Sequence, residues 1–257
     1  MIRPRLVRLT LACHVIVMSL GLAAPASAQI EIAPASTEQT LFPGLFKTTI
    51  NDFRQLPSKD TLTWLLIGGA AAAAGKTQDW DITTGFSKTR SMATMLRPGE
   101  TIGGARVQLG AAIAAYTVGR IIDKPRVTSL GVDLIRSQIV AQTLTLGIKM
   151  AVRRARPDGT EFSFPSGHTS VTFATATVLQ RHLGWKVGIP SYALASYVAA
   201  SRVQNKRHFA SDVAFGAALG IIAGRTVTVG RGTAKFAVSP TASPRAAGVS
   251  FTLLNQK

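Results

Sequence analysis

Three short clusters hold most of the side chains in this sequence that have chemistry to offer. The first is Lys149-Met-Ala-Val-Arg-Arg-Ala-Arg156-Pro157. Lys149 and Arg156 stand seven positions apart, close to two helical turns, so both project from one helical face. Pro157 disfavours helix at the residue before it, which places Arg156 at a helix end with its guanidinium able to turn toward a pocket. The second is Phe164-Pro165-Ser166-Gly167-His168-Thr169, directly ahead of an apolar stretch. A serine and a glycine at a helix start present a hydroxyl and backbone N–H groups to an anion. His168 at the mouth of that nest is placed to give a proton to a leaving oxygen. The third is Ser201-Arg202-Val-Gln-Asn-Lys-Arg-His208-Phe-Ala-Ser-Asp212. His208 and Asp212 are i and i+4, neighbours on one helical face. A carboxylate holding one imidazole nitrogen leaves the other free to attack.

Each cluster alone has an ordinary explanation: a solvated basic helix end, a Ser-Gly cap, a surface His–Asp pair. Together they suit one reaction. A phosphoryl group in transfer spreads negative charge over three equatorial oxygens, and three cations with a backbone nest stabilise that charge without a metal. Arginine supplies a planar fork for paired oxygen contacts and lysine a point charge.

The order Lys-x6-Arg-Pro, Pro-Ser-Gly-His, Ser-Arg-x5-His-x3-Asp resembles the tripartite signature of the type-2 phosphatidic acid phosphatase (PAP2) and vanadium haloperoxidase superfamily, in its bacterial exported acid-phosphatase-like form. The match is complete at Lys149, Arg156, Pro157, Pro165, Ser166, Gly167, His168, Ser201, Arg202, His208 and Asp212, and the resemblance covers about residues 100–226. It implies a phosphoric ester hydrolase with no metal and no cofactor. His208 is then the nucleophile that becomes a phosphohistidine, His168 the acid and base, and Asp212 the residue orienting His208. Lys149, Arg156, Ser166, Gly167 and Arg202 hold the substrate phosphate. Lipid phosphates and isoprenoid diphosphates enter as possible substrates by the same resemblance. One departure stands out: only Asp158 to Phe164 separate the first two clusters, a short link that leaves little room for a lid.

These clusters need helices to position them. Apolar periodicity bounded by Gly, Pro and charge predicts an all-α bundle of about six helices. They are expected at 61–74, with Asp60 or Thr61 as cap, and at 105–122, 129–155, 168–183, 188–203 and 209–226. Residues 76–104 read as a loop, and weak alternation over 234–253 predicts a short hairpin around Pro240 to Pro244. Arg153, Arg154 and Arg207 read as a positive rim, His182 as a surface histidine, and Asp79 and Asp81 as a solvated pair.

Residues 1–28 resemble a secretory signal: Arg3, Arg5 and Arg8, an apolar run from Leu9 to Leu22, then Ala26-Ser27-Ala28. The expected organisation is signal 1–28, leader 29–60, phosphatase domain 61–228 and tail 229–257. Cleavage removes three arginines and the lone Cys13, lowering the formal charge from +17 to +14. The mature chain then has neither disulfides nor thiolate metal sites. Its charge favours anionic partners, namely a phosphate ester, a lipid among them, and an anionic membrane surface. The dispersed basic residues show no nucleic-acid motif. An exported protein in the periplasm is expected, soluble or membrane-associated, with an integral inner-membrane protein as the alternative, since no mature segment has 18 uninterrupted apolar residues. Two other functions stay open at this stage: a vanadate-dependent haloperoxidase built on the same cradle, and a non-catalytic cationic protein of the envelope.

Overall fold

The computed structural model describes residues 41–88, 90–229, 235–243 and 246–254. The expected signal segment lies outside them. The chain divides into a helical unit within Ser36–Gly232 and a second unit whose described part is a two-stranded antiparallel hairpin. The hairpin pairs β1 (Lys235–Ser243) with β2 (Ala246–Leu254). Ser243 faces Ala246 and Pro240 faces Val249, so Pro240 lies within a strand rather than at the expected turn.

Ten helices build the helical unit among the described residues: α1 (Leu41–Gln55), α2 (Lys59–Lys76), α3 (Asp79–Ser87), α4 (Arg90–Leu96), α5 (Pro98–Ile102), α6 (Ala105–Ile121), α7 (Pro125–Val152), α8 (Gly167–Leu183), α9 (Trp185–Gln204) and α10 (Ala210–Val227). The architecture is all-α, and five of the expected helices, α6 to α10, appear within a few residues of their expected ends. The first expected helix begins earlier than Asp60, because Ser58 is the cap: its hydroxyl accepts the Thr61 N–H at 3.1 Å. α7 opens with Pro125 in its first turn and closes where Arg153 turns left-handed at φ 48°. The segment expected as a loop at 76–104 holds three short helices instead. None carries a long apolar stripe of its own, and α3, α4 and α5 are stabilised by packing on α9. α1 falls inside the segment expected as a leader and packs on α7.

α8 is the central rod, packed against α7, α9 and α10. The core around it includes Val140 and Ala141 of α7, Val171, Ala174 and Val178 of α8, and Ala223 of α10, all at most 1% exposed. A fully buried valine contributes about 1.5–3 kcal/mol through apolar area removed from water. Gly216, Gly220 and Gly224 line the side of α10 that faces α8. A β-carbon at Gly220 would lie 2.3 Å from the Ser170 carbonyl oxygen, so the two helices approach almost backbone to backbone.

Polar side chains also tie the helices together. Arg136 of α7 donates Nε to Asp52 of α1 at 2.8 Å and Nη1 to Asp133 at 2.8 Å, and Asp133 meets His182 Nε2 of α8 at 2.8 Å. The His182 side chain is only 7% exposed. The surface role expected of it is therefore corrected: it closes a buried chain of charge that a linear reading, blind to a partner 49 residues away, had no means to see. Gln138 of α7 donates to Val171 O and Thr175 of α8, and Thr175 donates to Gln108 of α6.

Large apolar side chains are exposed along α2 (Leu62, Leu66, Ile67), α6 (Ile113, Val118, Ile121) and α7 (Leu146, Met150). Among the described residues one helix, α10, is long and apolar enough to cross a membrane, and 61% of that stretch is buried inside the unit.

The α8–α10 contact makes a contrast that thermal melting will show. Gly220→Val is expected to cost about 1–3 kcal/mol by overpacking. Gly69→Ala, whose added carbon meets nothing within 4 Å, should instead stabilise α2 by about 0.5–1 kcal/mol.

Candidate active site

The three clusters meet where the C-terminal end of α7 and the N-terminal ends of α8 and α10 converge with the last turn of α9. The Ser166 N–H donates to the Asp212 carbonyl at 3.0 Å, joining the start of α8 to the start of α10. The link between the first two clusters is a tight turn: Arg156 N–H donates to Thr160 O at 2.7 Å, and Ser163 N–H to Arg154 O at 2.7 Å. Asp158 in that turn accepts from Thr160 and pairs with Arg207 at 2.9 Å, which fastens the first cluster to the third. Arg207 is thus a staple between clusters as well as a rim charge.

His208 is 3% exposed, and its Nδ1 lies 2.6 Å from the Ser163 carbonyl oxygen. A carbonyl oxygen only accepts, so Nδ1 carries the hydrogen and Nε2 keeps its lone pair. The Asp212 carboxylate stands farther off, with Oδ2 at 3.9 Å from Nδ1. Its oxygens are taken by other donors: Phe209 N–H at 2.8 Å, the Ser163 hydroxyl, and Arg154 Nη1 at 2.7 Å. Asp212 reaches the imidazole through its field and through Ser163, which contacts both residues.

The cations converge on the same space. Lys149 donates to Phe162 O at 2.6 Å, and its charge and that of Arg202 both bear on His208. Arg202 is 3% exposed, yet its Nε and Nη1 make no hydrogen bond among the described residues. The Nε of Arg156 is buried and unbonded in the same way. Buried guanidinium donors left open cost free energy unless an acceptor arrives, and an oxyanion is the acceptor their geometry suits. Ser166 is fully buried, with its hydroxyl accepting from Thr169 at 2.9 Å, and Gly167 packs against Thr145. His168 opens α8 beside Arg202, with the backbone of Glu100 as a hydrogen-bond partner.

Burial sets the proton affinities first, and charge adjusts them. Burial, with Lys149 and Arg202 adding to it, pushes His208 down to about 4 against the pull of Asp212. Burial followed by Arg202 takes His168 to about 4. Lys149 falls to about 8 through burial and the neighbouring Arg156. Burial alone would raise Asp212, but its hydrogen-bond donors and Arg154 outweigh it and hold the carboxyl below its ordinary range. At neutral pH the empty site therefore carries neutral imidazoles, an ionised carboxylate and positive guanidinium groups. A phosphate dianion in the cradle would raise both histidines by offsetting those cations, which prepares His168 to act as an acid.

Four contributors escaped the sequence reading. Arg154, expected as a rim charge, donates to Asp212 and to Ser211 at 2.7 Å, pairs with Asp79 at 2.8 Å, and lies 4.2 Å over the Phe209 ring. Asp79, expected in a solvated loop, is 3% exposed and also accepts the Ser211 N–H at 2.9 Å. Both corrections have one cause: α3 folds back onto α10, and no local spacing announces that. The Ser163 carbonyl and Glu100 likewise carry no signal of their own in the sequence. A cavity of about 480 Å³ lined by Lys76, Arg154, Phe164 and Ser211 lies on the Arg154 side of Asp212.

Residues 128–235 match the sequence profile of the PAP2 superfamily. Over that span the chain is similar to the PAP2 superfamily. It is similar to the lipid A 1-phosphatase of Porphyromonas gingivalis, 40% identical over 100 residues that make up 37% of this chain and 21% of that protein. It is also similar to the decaprenylphosphoryl-5-phosphoribose phosphatase of Mycobacterium tuberculosis, 36% identical over 104 residues, 36% of this chain and 57% of that one. The matched stretch thus spans about a fifth to somewhat over half the length of these curated relatives. The fold is shared with a transmembrane PAP2-type phosphatidylglycerolphosphate phosphatase from Bacillus subtilis, with TM-score 0.52 and 20% identity over 73% of this chain and 94% of that one. It is shared too with Aquifex aeolicus LpxE, with TM-score 0.50 and 22% identity over 58% of this chain and 93% of that one. The matched span, residues 128–235, contains all three clusters, so the buried charges around His208 lie within it.

Two measurements follow from these charges. His168 and His208 titrate near 4 when folded and near 6.5 when unfolded, so the unfolded chain takes up protons first as the pH falls. Stability of the unliganded protein is then expected to rise with pH from about 4 to 6.5 and to be lost on acidification through that window. Thermal melts across it check the sign, and His208→Gln should flatten the slope. Replacing Arg154 by Met leaves Asp212 and Asp79 buried without their cation. It is expected to cost about 3–5 kcal/mol of stability if the charges are not relieved by protonation. In the fraction that folds, turnover should fall and the acid limb of the rate profile should move.

Proposed function

We propose that this chain is a metal-independent phosphatase acting on phosphate monoesters carried by lipids, through a phosphohistidine at His208. The observation that supports it most is the Ser163 carbonyl at His208 Nδ1. It frees the Nε2 lone pair of a neutral imidazole near buried guanidinium groups of Arg156 and Arg202 with N–H donors that make no hydrogen bond among the described residues.

In this reading the phosphoryl oxygens take the open donors of Arg202 and Arg156, the charge of Lys149, and the Ser166 hydroxyl and Gly167 N–H at the start of α8. The helix dipole adds to that hold. His208 attacks phosphorus, a N–P bond forms, and the bond to the leaving oxygen breaks as His168 delivers its proton there. His168 then takes a proton from water, which attacks the phosphohistidine and releases phosphate. Asp212, held ionised by its donors, stabilises the positive charge that grows on His208. The rate advantage comes mainly from charge fixed in place before the substrate arrives.

The relatives are named as phosphatases of lipid A and of a decaprenylphosphoryl sugar phosphate, which supports a lipid-linked substrate. An acid-phosphatase-like role on soluble esters draws no support from them. Exposed leucines and isoleucines on α2, α6 and α7 support a protein held at a membrane surface. The signal-like start at residues 1–28 supports placement on the periplasmic side. The catalytic unit assigned here runs over 61–228, followed by the tail 229–257.

The test is phosphate release from lipid phosphates and soluble esters with EDTA present. Turnover of lipid phosphates is expected to persist in EDTA and to fall at least about a thousandfold in His208→Ala. Full activity in that variant, or dependence on a divalent ion, would sink the proposal.

A further inference from the structure

The polar groups around the site divide by side. Behind His208 stand Ser163, Asp212, Arg154 and Asp79. On the His168 side stands the acidic side chain of Glu100, in α5, whose charge bears on His168. This helix is wedged into place rather than draped. A β-carbon at Gly99 would lie 2.6 Å from Ser201 Oγ, and one at Gly103 would lie 2.4 Å from Val198 and 3.2 Å from His168 Cδ2. Pro98 fixes the first turn. The Glu100 carboxylate reaches Arg202 Nη1 at 3.6 Å and accepts from Asn205 Nδ2 at 3.5 Å. Its side chain is 56% exposed, so it meets solvent at the edge of the site while its partner Arg202 is 3% exposed.

We infer that Glu100 sets the charge of the leaving group this site accepts, disfavouring esters whose leaving group is itself a phosphate and favouring those that leave as a neutral, hydroxyl-bearing alcohol. This rests on the roles given above to His208 and His168 and adds a substrate class to them.

The chemistry is direct. With a monoester, the P–O bond to the alcohol breaks, the His168 proton lands on that oxygen, and a neutral alcohol departs past Glu100. With a diphosphate, attack at the terminal phosphorus breaks the bridging P–O bond and expels an alkyl phosphate. Negative charge then lies on the same side as the carboxylate. Arg202 offsets Glu100 in the empty site, but once its open donors turn to the phosphoryl oxygens the carboxylate is left facing the leaving group. Like charges within a few ångströms of each other at a half-exposed site repel strongly enough to matter for selection. A hydroxyl on a neutral leaving group, in contrast, donates to the carboxylate, and Asn205 beside it offers a further polar partner.

The test compares kcat/KM for the monophosphate and the diphosphate of one short isoprenoid alcohol, with products separated by chromatography. Wild type, Glu100→Gln and Glu100→Ala are assayed, and melting curves confirm that each is folded. Wild type is expected to prefer the monophosphate. Both variants should raise the diphosphate-to-monophosphate ratio about tenfold, equivalent to about 1.4 kcal/mol. A ratio unchanged in both variants, or a wild type that prefers the diphosphate, overturns the inference. Release of phosphate from neither substrate by wild type overturns the phosphatase reading itself, and this one with it.

Discussion

A fully buried carboxylate must be given its hydrogen bonds by the protein, and Asp212 gathers them from two separate stretches of chain. Phe209 donates a backbone N–H, Ser163 a hydroxyl and Arg154 a guanidinium N–H. The Asp212 carbonyl in turn accepts from Ser166. Satisfying this one residue therefore brings the loop after α7, the start of α8 and the start of α10 into contact. Lys149 stands just before the first of these, His168 within the second and His208 just before the third. The same arrangement keeps Asp212 ionised in a place where burial alone would protonate it.

The cations are arranged on a different principle. Arg154 is fully engaged by two carboxylates and a hydroxyl, whereas Arg156 and Arg202 keep buried donors open. A folded chain tolerates open donors of this kind only when the rest of the structure over-determines them, and they gather where an anion is to be bound. The engaged cation thus builds the frame and the unengaged ones wait for substrate. Residues of identical type, two positions apart, do unlike work because one meets the carboxylates of α3 and α10 and the other keeps a buried N–H without a hydrogen bond among the described residues.

Much of the site was legible in the sequence because its residues lie in three runs of contiguous chain at helix ends, where spacing alone implies a shared face. The charges of Lys149, Arg156, His168, Arg202 and His208 bear on one another in the folded chain. The six longest helices, α2 and α6 to α10, were legible too, since Gly, Pro and charge bound them clearly. What escaped is tertiary. Arg154 and Asp79 are 75 residues apart, and Asp133 and His182 are 49 apart. Neither pair leaves a local trace, and a buried acid looks like a solvated one until its partner arrives. The short helices α3 to α5 escaped for a related reason. Each is too brief to show a period, and each exists because α9 offers a surface to rest on.

The glycine seam between α8 and α10 has a consequence for how such a protein can change over time. Where backbones nearly touch, there is no slot in which a new side chain might be tried, so this helix pair offers little raw material for novelty. The rim formed by α5 and the end of α9 is different: it is partly open to solvent and carries long polar side chains that alter nothing in the seam. New preferences for what departs from phosphorus have room to arise at that rim, while the machinery that grips the phosphoryl group stays locked by the contact beneath it.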